Sequence, residues 1–364
     1  MTPLARRLRE LIACEGPISF ERYMALALSD PDHGYYMTRD PLGEAGDFVT
    51  APEISQMFGE LLGVWAADLW RRMGAPDPVR LIELGPGRGT LMKDALRAAR
   101  ACPGFLQACD VHLVEISPAL AERQRRTLAG AAPAIAWSAS IEAVPEGPAI
   151  IFANEFFDAL PVRHYVRLER GWSERLVGTD ETGAFAFGAA GEPEPGIVAE
   201  APRGAVIELG AEARLFAERI ARRLQAQGGA LLILDYGYER PRFGETLQAV
   251  RRHARADILA DPGEVDLTAH VDFYALARAA GAAGARVFGP IEQGTFLRRL
   301  GIEERAARLK QGASADQIRS IEDALARLVD PNRPDRPGMG ELFKVLAVTA
   351  PDCPAPAGFE EANA

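Results

Sequence analysis

The sequence predicts an α/β fold, a mostly parallel sheet with helices on both faces, from three observations. Short apolar runs alternate with segments of helical periodicity between residues 79 and 348. A glycine-rich turn, Gly85-Pro86-Gly87-Arg88-Gly89, separates the first run from a helical stretch. Hydrophobic residues make up 48% of the 364 residues, enough to bury a sheet on both faces.

Taken in order, residues 4–14 and 19–28 carry helical spacing, and Ser29 to Glu53 is rich in turn formers. Ser55 to Met73 reads as an amphipathic helix, with Met57, Leu61, Leu62, Trp65 and Leu69 on one stripe. Past a linker at Gly74–Pro78, seven strands are predicted: Val79–Leu84, Val111–Glu115, Ile135–Ser138, Ala149–Ala153, Leu231–Asp235, Arg286–Phe288 and Leu342–Val348. Thr90–Ala101 and Pro118–Leu128 supply the first two crossover helices. Two insertions break the rhythm. Residues 162–187 alternate as β-hairpins around Arg170-Gly171, and residues 293–328 are helical. The expected organisation is an N-terminal helical segment (1–75), an α/β domain (76–350) and a flexible tail (351–364).

With 41 basic and 51 acidic side chains the formal charge is −10, which argues against a nucleic-acid binder. Cys14, Cys102, Cys109 and Cys353 form neither a disulfide framework nor a CxxC pair, so no metal site is expected. No apolar stretch is long enough for a membrane span, and Glu10 and Glu15 interrupt any apolar run at the N-terminus. These features predict a cytoplasmic protein without membrane insertion.

The sharpest motif is Glu83-Leu84-Gly85-Pro86-Gly87-Arg88-Gly89-Thr90. Glycines there permit positive φ and close approach of a ligand, and the following helix start offers N–H groups to an anionic part of it. Thr90 stands where the dinucleotide fingerprint GxGxxG requires its last glycine, so that fingerprint fails. The ExGxGxG spacing instead resembles the first motif of class I S-adenosylmethionine-dependent methyltransferases. Alone, the loop is equally compatible with a tight turn and a structural carboxylate. Glu115, at the tip of the second strand, is placed to accept ribose hydroxyls, as acidic strand ends do in dinucleotide folds. Ile116 follows it, and Ser138 to Ile141, including Ser140, stands where an adenine would lie.

The fourth strand leads into Asn154-Glu155-Phe156-Phe157-Asp158-Ala159-Leu160-Pro161. Strand mouths of this kind are where a transferable group meets its acceptor. If Glu155 opens a helical turn, Asp158 lies on the same face and the two carboxylates can clamp a guanidinium. The competing reading makes them turn caps and the phenylalanines core. Asp235, closing the fifth strand in Asp235-Tyr236-Gly237, is a second acidic contact or a turn residue. His270 is a general base or a structural histidine.

Several longer stretches carry a closer resemblance. Residues 46–60 (GDFVTAPEISQMFGE), the glycine loop, Asn154–Val162, Asp235–Gly237, residues 266–273 (DLTAHVDF) and 339–346 (MGELFKVL) together resemble the MidA-like family. That family is similar to the mitochondrial complex I assembly-factor methyltransferases. The resemblance runs from about Arg22 to Val348. It implies a class I, Rossmann-like methyltransferase fold with S-adenosyl-L-methionine as donor. It further implies a protein arginine acceptor on a respiratory complex I (NADH dehydrogenase) subunit. Carried over by position, Glu83, Gly85, Gly87, Gly89, Thr90, Glu115, Ile116, Ser140 and Ile141 bind the cofactor. Asn154, Glu155 and Asp158 serve catalysis, and Gly46–Gln56 is a lid whose Thr50, Ser55 or Gln56 reaches the cofactor carboxylate. Other arginine methyltransferases carry two glutamates on one long loop, whereas the second carboxylate here is Asp158, three residues on. A small-molecule methyltransferase, or an assembly chaperone that binds the cofactor without transferring a methyl, are the competing functions.

Overall fold

The computed structural model describes residues 1–38, 50–132, 134–251 and 254–359. The chain divides into two compact units, Met1–Phe48 with Asp158–Leu215 and Arg240–Asp272, and Val49–Phe157 with Phe216–Glu239 and Phe273–Ala364.

The second unit is built on seven strands: β1 (Val79–Leu84), β2 (Cys109–Val114), β3 (Ile135–Ser138), β4 (Ala149–Asn154), β5 (Gly229–Tyr238), β6 (Arg286–Glu292) and β7 (Phe343–Thr349). Their spatial order is β6-β7-β5-β4-β1-β2-β3. β1 to β5 pair in parallel, and β7 runs antiparallel to both its neighbours. From β1 the chain winds out through β2 and β3, then returns to place β4 on the other side of β1. This reversal between β1 and β4 is the topological switch point, and ligands bind beyond the carboxyl ends of strands there. All seven expected strands form, with ends shifted by a few residues.

Both side-chain parities of the central strands are buried, as a sheet covered on both faces requires. Val79, Leu81, Ile150, Phe152 and Leu232 share a core with α1 (Gln56–Arg72), α2 (Thr90–Ala99) and the helices between residues 293 and 329. α3 (Pro118–Thr127) links β2 to β3. α1 and α2 approach so closely that a Cβ on Gly63 would lie 2.2 Å from the carbonyl oxygen of Ala95.

The first unit contains helices Pro3–Glu15 and Phe20–Ser29 and a five-stranded sheet. In that sheet Gly171–Thr179 pairs with Arg163–Leu168, Ile18–Ser19 and Phe185–Ala189, and Val206–Leu209 pairs with Arg163–Leu168. The predicted hairpin at 162–187 is therefore one part of a larger sheet that also takes in an N-terminal strand. A buried pair, His164 Nε2 to Glu208 Oε1 at 3.1 Å, lies within it.

Two expectations differ from these units. The boundary near residue 75 is not the one along which contacts divide, since α1 and the 293–328 insertion group with the seven-stranded sheet, and the helices Pro3–Glu15 and Phe20–Ser29 with the 162–187 insertion. Residues 351–359 are packed, not frayed. Cys353 is buried, Ala357 O accepts a 3.0 Å bond from Trp65 Nε1, and the Phe359 ring lies 5.4 Å from that of Phe296. Apolar side chains anchor this tail despite its prolines. Residues 360–364 lie outside the described residues. Among the described residues no helix is long and apolar enough to cross a membrane.

Candidate active site

The glycine loop leaves β1 at Leu84 with φ of 58° at Gly85, 53° at Gly87 and 81° at Gly89, the residue that caps α2. Only glycine takes this left-handed path freely. A Cβ on Gly85 would meet Phe156 Cδ2 at 3.0 Å, so the loop and the segment after β4 are in near contact. Glu83 precedes the loop, 3% exposed, and its Oε2 has no hydrogen-bond partner. Burial pushes its carboxyl up to about 8; the backbone N–H of Met92 works against this and the nearby Glu115 adds to it. Thr90 Oγ1 donates to Glu53 Oε1 at 2.5 Å, and Arg88 reaches the other oxygen of Glu53 at 4.0 Å. The Thr90 hydroxyl, expected to meet the cofactor, is engaged by a residue that the sequence reading passed over.

At the tip of β2, Glu115 Oε1 accepts from the backbone N–H of Ser117 at 2.8 Å and Oε2 from Gln124 Nε2 at 2.9 Å. Burial raises the carboxyl and these hydrogen bonds oppose it. Gln124, wholly buried on α3, also donates to Gly87 O at 2.8 Å and accepts from Trp137 Nε1 at 2.9 Å. It thereby ties the glycine loop to Glu115. A signal for it exists in the sequence: a polar residue midway between Leu120 and Leu128, on the apolar face of its helix. Beside Glu115 the Ile116 side chain is 48% exposed, an apolar surface at a strand mouth. Glu115 N donates to Ser138 O at 2.9 Å, which joins the ends of β2 and β3. Ser140 is exposed, while the Ile141 side chain is buried and its carbonyl accepts from Arg223.

β4 ends at Asn154, whose side chain is buried with Oδ1 lacking a partner and Nδ2 3.4 Å from Glu155 Oε1. Glu155 takes φ of 49°, a conformation that non-glycine residues adopt rarely and that concentrates at functional sites. Its backbone is held by a 2.9 Å bond from Glu155 N to Leu234 O, and its carboxylate accepts from Ala51 N at 3.1 Å. Asp235 explains why the turn is fixed. This carboxylate is fully buried; Oδ2 accepts from Phe156 N and Phe157 N at 3.2 and 3.0 Å, and Oδ1 from its own Tyr236 N. Asp235 thus positions the neighbouring strand's loop, a role that its place in the sequence does not reveal.

Other expectations are corrected. Glu155 opens no helical turn: residues 155–161 are irregular, so the same-face argument for Glu155 and Asp158 does not hold. Asp158 is buried and groups with the first unit. His270 also belongs there, donating its backbone N–H to Thr246 Oγ1 at 2.9 Å, with a pKa lowered by burial and then by Arg242. In the expected lid, residues 46–49 lie outside the described residues. Thr50 stands at the N-cap of the short helix Ala51–Ile54, where its carbonyl accepts from Glu53 N. The Ser55 hydroxyl caps α1 by accepting from Met57 N, and Gln56 Oε1 accepts from Arg97 at 3.3 Å. Ser55 and Gln56 are therefore engaged in helix capping and packing.

These residues fit an S-adenosylmethionine molecule by their chemistry. The orphaned Glu83 oxygen suits an ammonium group, the braced Glu115 carboxylate a pair of hydroxyls, and the side-chain-free glycine loop a close-lying backbone.

Residues 61–291 match the family model described as "Putative S-adenosyl-L-methionine-dependent methyltransferase". Among curated relatives, "Protein arginine methyltransferase NDUFAF7, mitochondrial" of Mus musculus is 36% identical, covering 100% of this chain and 88% of that protein. The Homo sapiens protein of the same name is 36% identical over 96% of this chain and 83% of its own length. A Burkholderia thailandensis protein crystallised with S-adenosyl-homocysteine superposes with a TM-score of 0.85 at 31% identity, covering 98% of this chain and 93% of that one. The Mus musculus and Homo sapiens relatives overturn the cytoplasmic assignment, for they are named mitochondrial. The reason is physical: scattered thiols fit a reducing environment, and they do not separate one such compartment from another.

Proposed function

Because the chain belongs to the S-adenosyl-L-methionine-dependent methyltransferase family, we propose that it methylates an arginine of a protein acceptor, a respiratory complex I subunit or a similar partner. The observation that carries this reading is the near full-length likeness to relatives named as protein arginine methyltransferases. The fixed Asn154-Glu155 turn at the switch point supports it.

Bound S-adenosylmethionine supplies a methyl group on a sulfonium leaving group, so the hard chemistry belongs to the cofactor. In this reading Glu83 receives its ammonium group, Glu115 its ribose hydroxyls and Ile116 one face of its adenine, while Gly85, Gly87 and Gly89 let it lie against the backbone. Of the lid predicted within residues 1–75, Thr50–Gln56 enters through Ala51 and Glu53, which bond to Glu155 and Thr90. Glu155 and the carbonyl oxygen of Asn154 face the acceptor. An arginine stays protonated at neutral pH, so the carboxylate of Glu155 must draw positive charge away from the attacking nitrogen. It then holds the proton which that nitrogen gives up. Asp235 keeps the turn in place, and alignment is what the protein chiefly contributes.

The test uses methyl-labelled S-adenosylmethionine, the purified chain and solubilised complex I, followed by acid hydrolysis and chromatography of methylarginines. Label in methylarginine is the expected result, and label confined to small molecules would reject the protein acceptor. Glu155→Gln is expected to lose transfer while cofactor affinity stays within about tenfold. Binding without transfer in the unsubstituted chain would favour an assembly chaperone.

A further inference from the structure

The strand Phe185–Ala189 forms one edge of the first unit's sheet, pairing among the described residues only with Gly171–Thr179. Its register determines which groups face outward. Ala190 N donates to Glu174 O and Asp180 N to Ala184 O, so the even-numbered residues of this strand exchange hydrogen bonds with the neighbouring strand. In an antiparallel ladder the alternate residues then point their N–H and C=O groups away. These are Phe185, Phe187 and Ala189, and among the described residues none of their backbone groups bonds to an atom beyond that edge. The two phenylalanine rings turn toward Phe20 and Tyr23, leaving Ala186 and Gly188 on the other face. Sheet edges are normally blunted by lysine, proline or a bulge. None of these occurs in Phe-Ala-Phe-Gly-Ala.

Charge selects the occupant. From Leu176 to Pro202 the chain carries Asp180, Glu181, Glu192, Glu194 and Glu200 and no lysine, arginine or histidine; on the ring side of the strand Arg175, over Phe187, is paired with Glu245, and Arg9 lies over Phe185. Asp180 is spent on its own turn, and Glu192 meets Arg170 only loosely, 3.6 Å apart with both side chains largely in solvent. A second copy of this chain would set acidic flank against acidic flank. A basic segment would be attracted, and long-range attraction speeds encounter.

We propose that this edge docks an extended, arginine-rich segment of the acceptor protein by strand addition, with Phe185, Phe187 and Ala189 supplying the main-chain bonds. The partner's identity as an acceptor rests on the function proposed above, whereas the docking itself is tested without any methyl transfer.

The probe is a fluorescent decapeptide of alternating arginine and valine, titrated into the full chain and followed by anisotropy and amide hydrogen exchange. The expected result is saturable binding, with exchange at Phe185, Phe187 and Ala189 slowed tenfold or more. Ala189→Pro removes an outward N–H and no internal bond, and is expected to weaken binding at least tenfold. A Glu192→Arg/Glu200→Arg double variant is expected to do so without touching the edge. A glutamate–valine decapeptide should not bind. Absence of binding, or binding to Ala189→Pro at unchanged affinity, would overturn the proposal. So would light scattering that shows a dimer abolished by Ala189→Pro, because a second copy would then fill the edge. Edge docking without arginine methylation would reject the acceptor reading alone, and methylation without edge docking would reject this inference alone.

Discussion

Gln124 and Glu115 are joined by a 2.9 Å hydrogen bond from amide to carboxylate, and the same amide nitrogen donates to Gly87 O at 2.8 Å. One buried side chain thus sets the distance between the glycine loop and the acidic tip of β2. Gln124→Leu keeps the volume but leaves Gly87 O, Trp137 Nε1 and one carboxylate oxygen without their partner. Buried groups left unsatisfied cost about 1–3 kcal/mol each. The expected outcome is a lower unfolding midpoint and S-adenosylmethionine affinity weakened roughly tenfold by titration calorimetry. Unchanged affinity would mean that the two halves of the site are set independently.

Asp235 holds the turn that carries Glu155 through two N–H groups, Phe156 and Phe157, on a single oxygen. Charged acceptors make the stronger hydrogen bonds, about twice neutral ones. Asp235→Asn therefore weakens the turn without emptying the space. It is expected to lower kcat by one to two orders of magnitude while cofactor Kd moves little, about the cost of a misplaced group. Equal loss in both constants would indicate a general folding defect.

Glu83 gives a pH dependence with a definite sign. Its folded carboxyl sits at about 8, above the value of 4.5 for an unfolded chain, so the ligand-free fold holds a proton that the unfolded chain releases. Stability from this group is complete below about 4.5 and is lost as the pH rises toward about 8, by a few kcal/mol at most. Affinity for the cofactor's ammonium group runs the other way, rising up to about tenfold per unit between pH 6 and 8 as Glu83 ionises. Denaturation and calorimetry across that range should show both slopes. Glu83→Gln should flatten both, and a slope that survives the substitution belongs to another group.

Gly63 lies where α1 crosses α2, and an added Cβ would fall 2.2 Å from Ala95 O. Backbone cannot yield as a side-chain tip can. Gly63→Ala is expected to destabilise the protein by roughly 2–4 kcal/mol, read as a drop in the denaturant midpoint. Neutral behaviour would show that the two helices separate freely.

The seven strands, the helices between them and the glycine turn were legible because their signals are local. Apolar runs such as Val79–Leu84 and Ala149–Ala153 must be strands buried on both faces, and Gly85, Gly87 and Gly89 spell out a loop with positive φ. Glu83 and Glu115 could be singled out for the same reason, since each ends a recognisable strand. Spacing misled where it presumed a conformation: Asp158 was tied to Glu155 by a helical turn, and the left-handed backbone at Glu155 removes that turn. Only the tertiary structure decided that Asp235 bonds the loop after β4, that Gln124 braces Gly87 and Glu115, and that Glu53 engages Thr90. Each of these joins residues 9 to 79 positions apart. Hydrogen bonds between buried groups are fixed by the packing that brings the chain together, and a linear pattern records which groups need partners but not which ones they find.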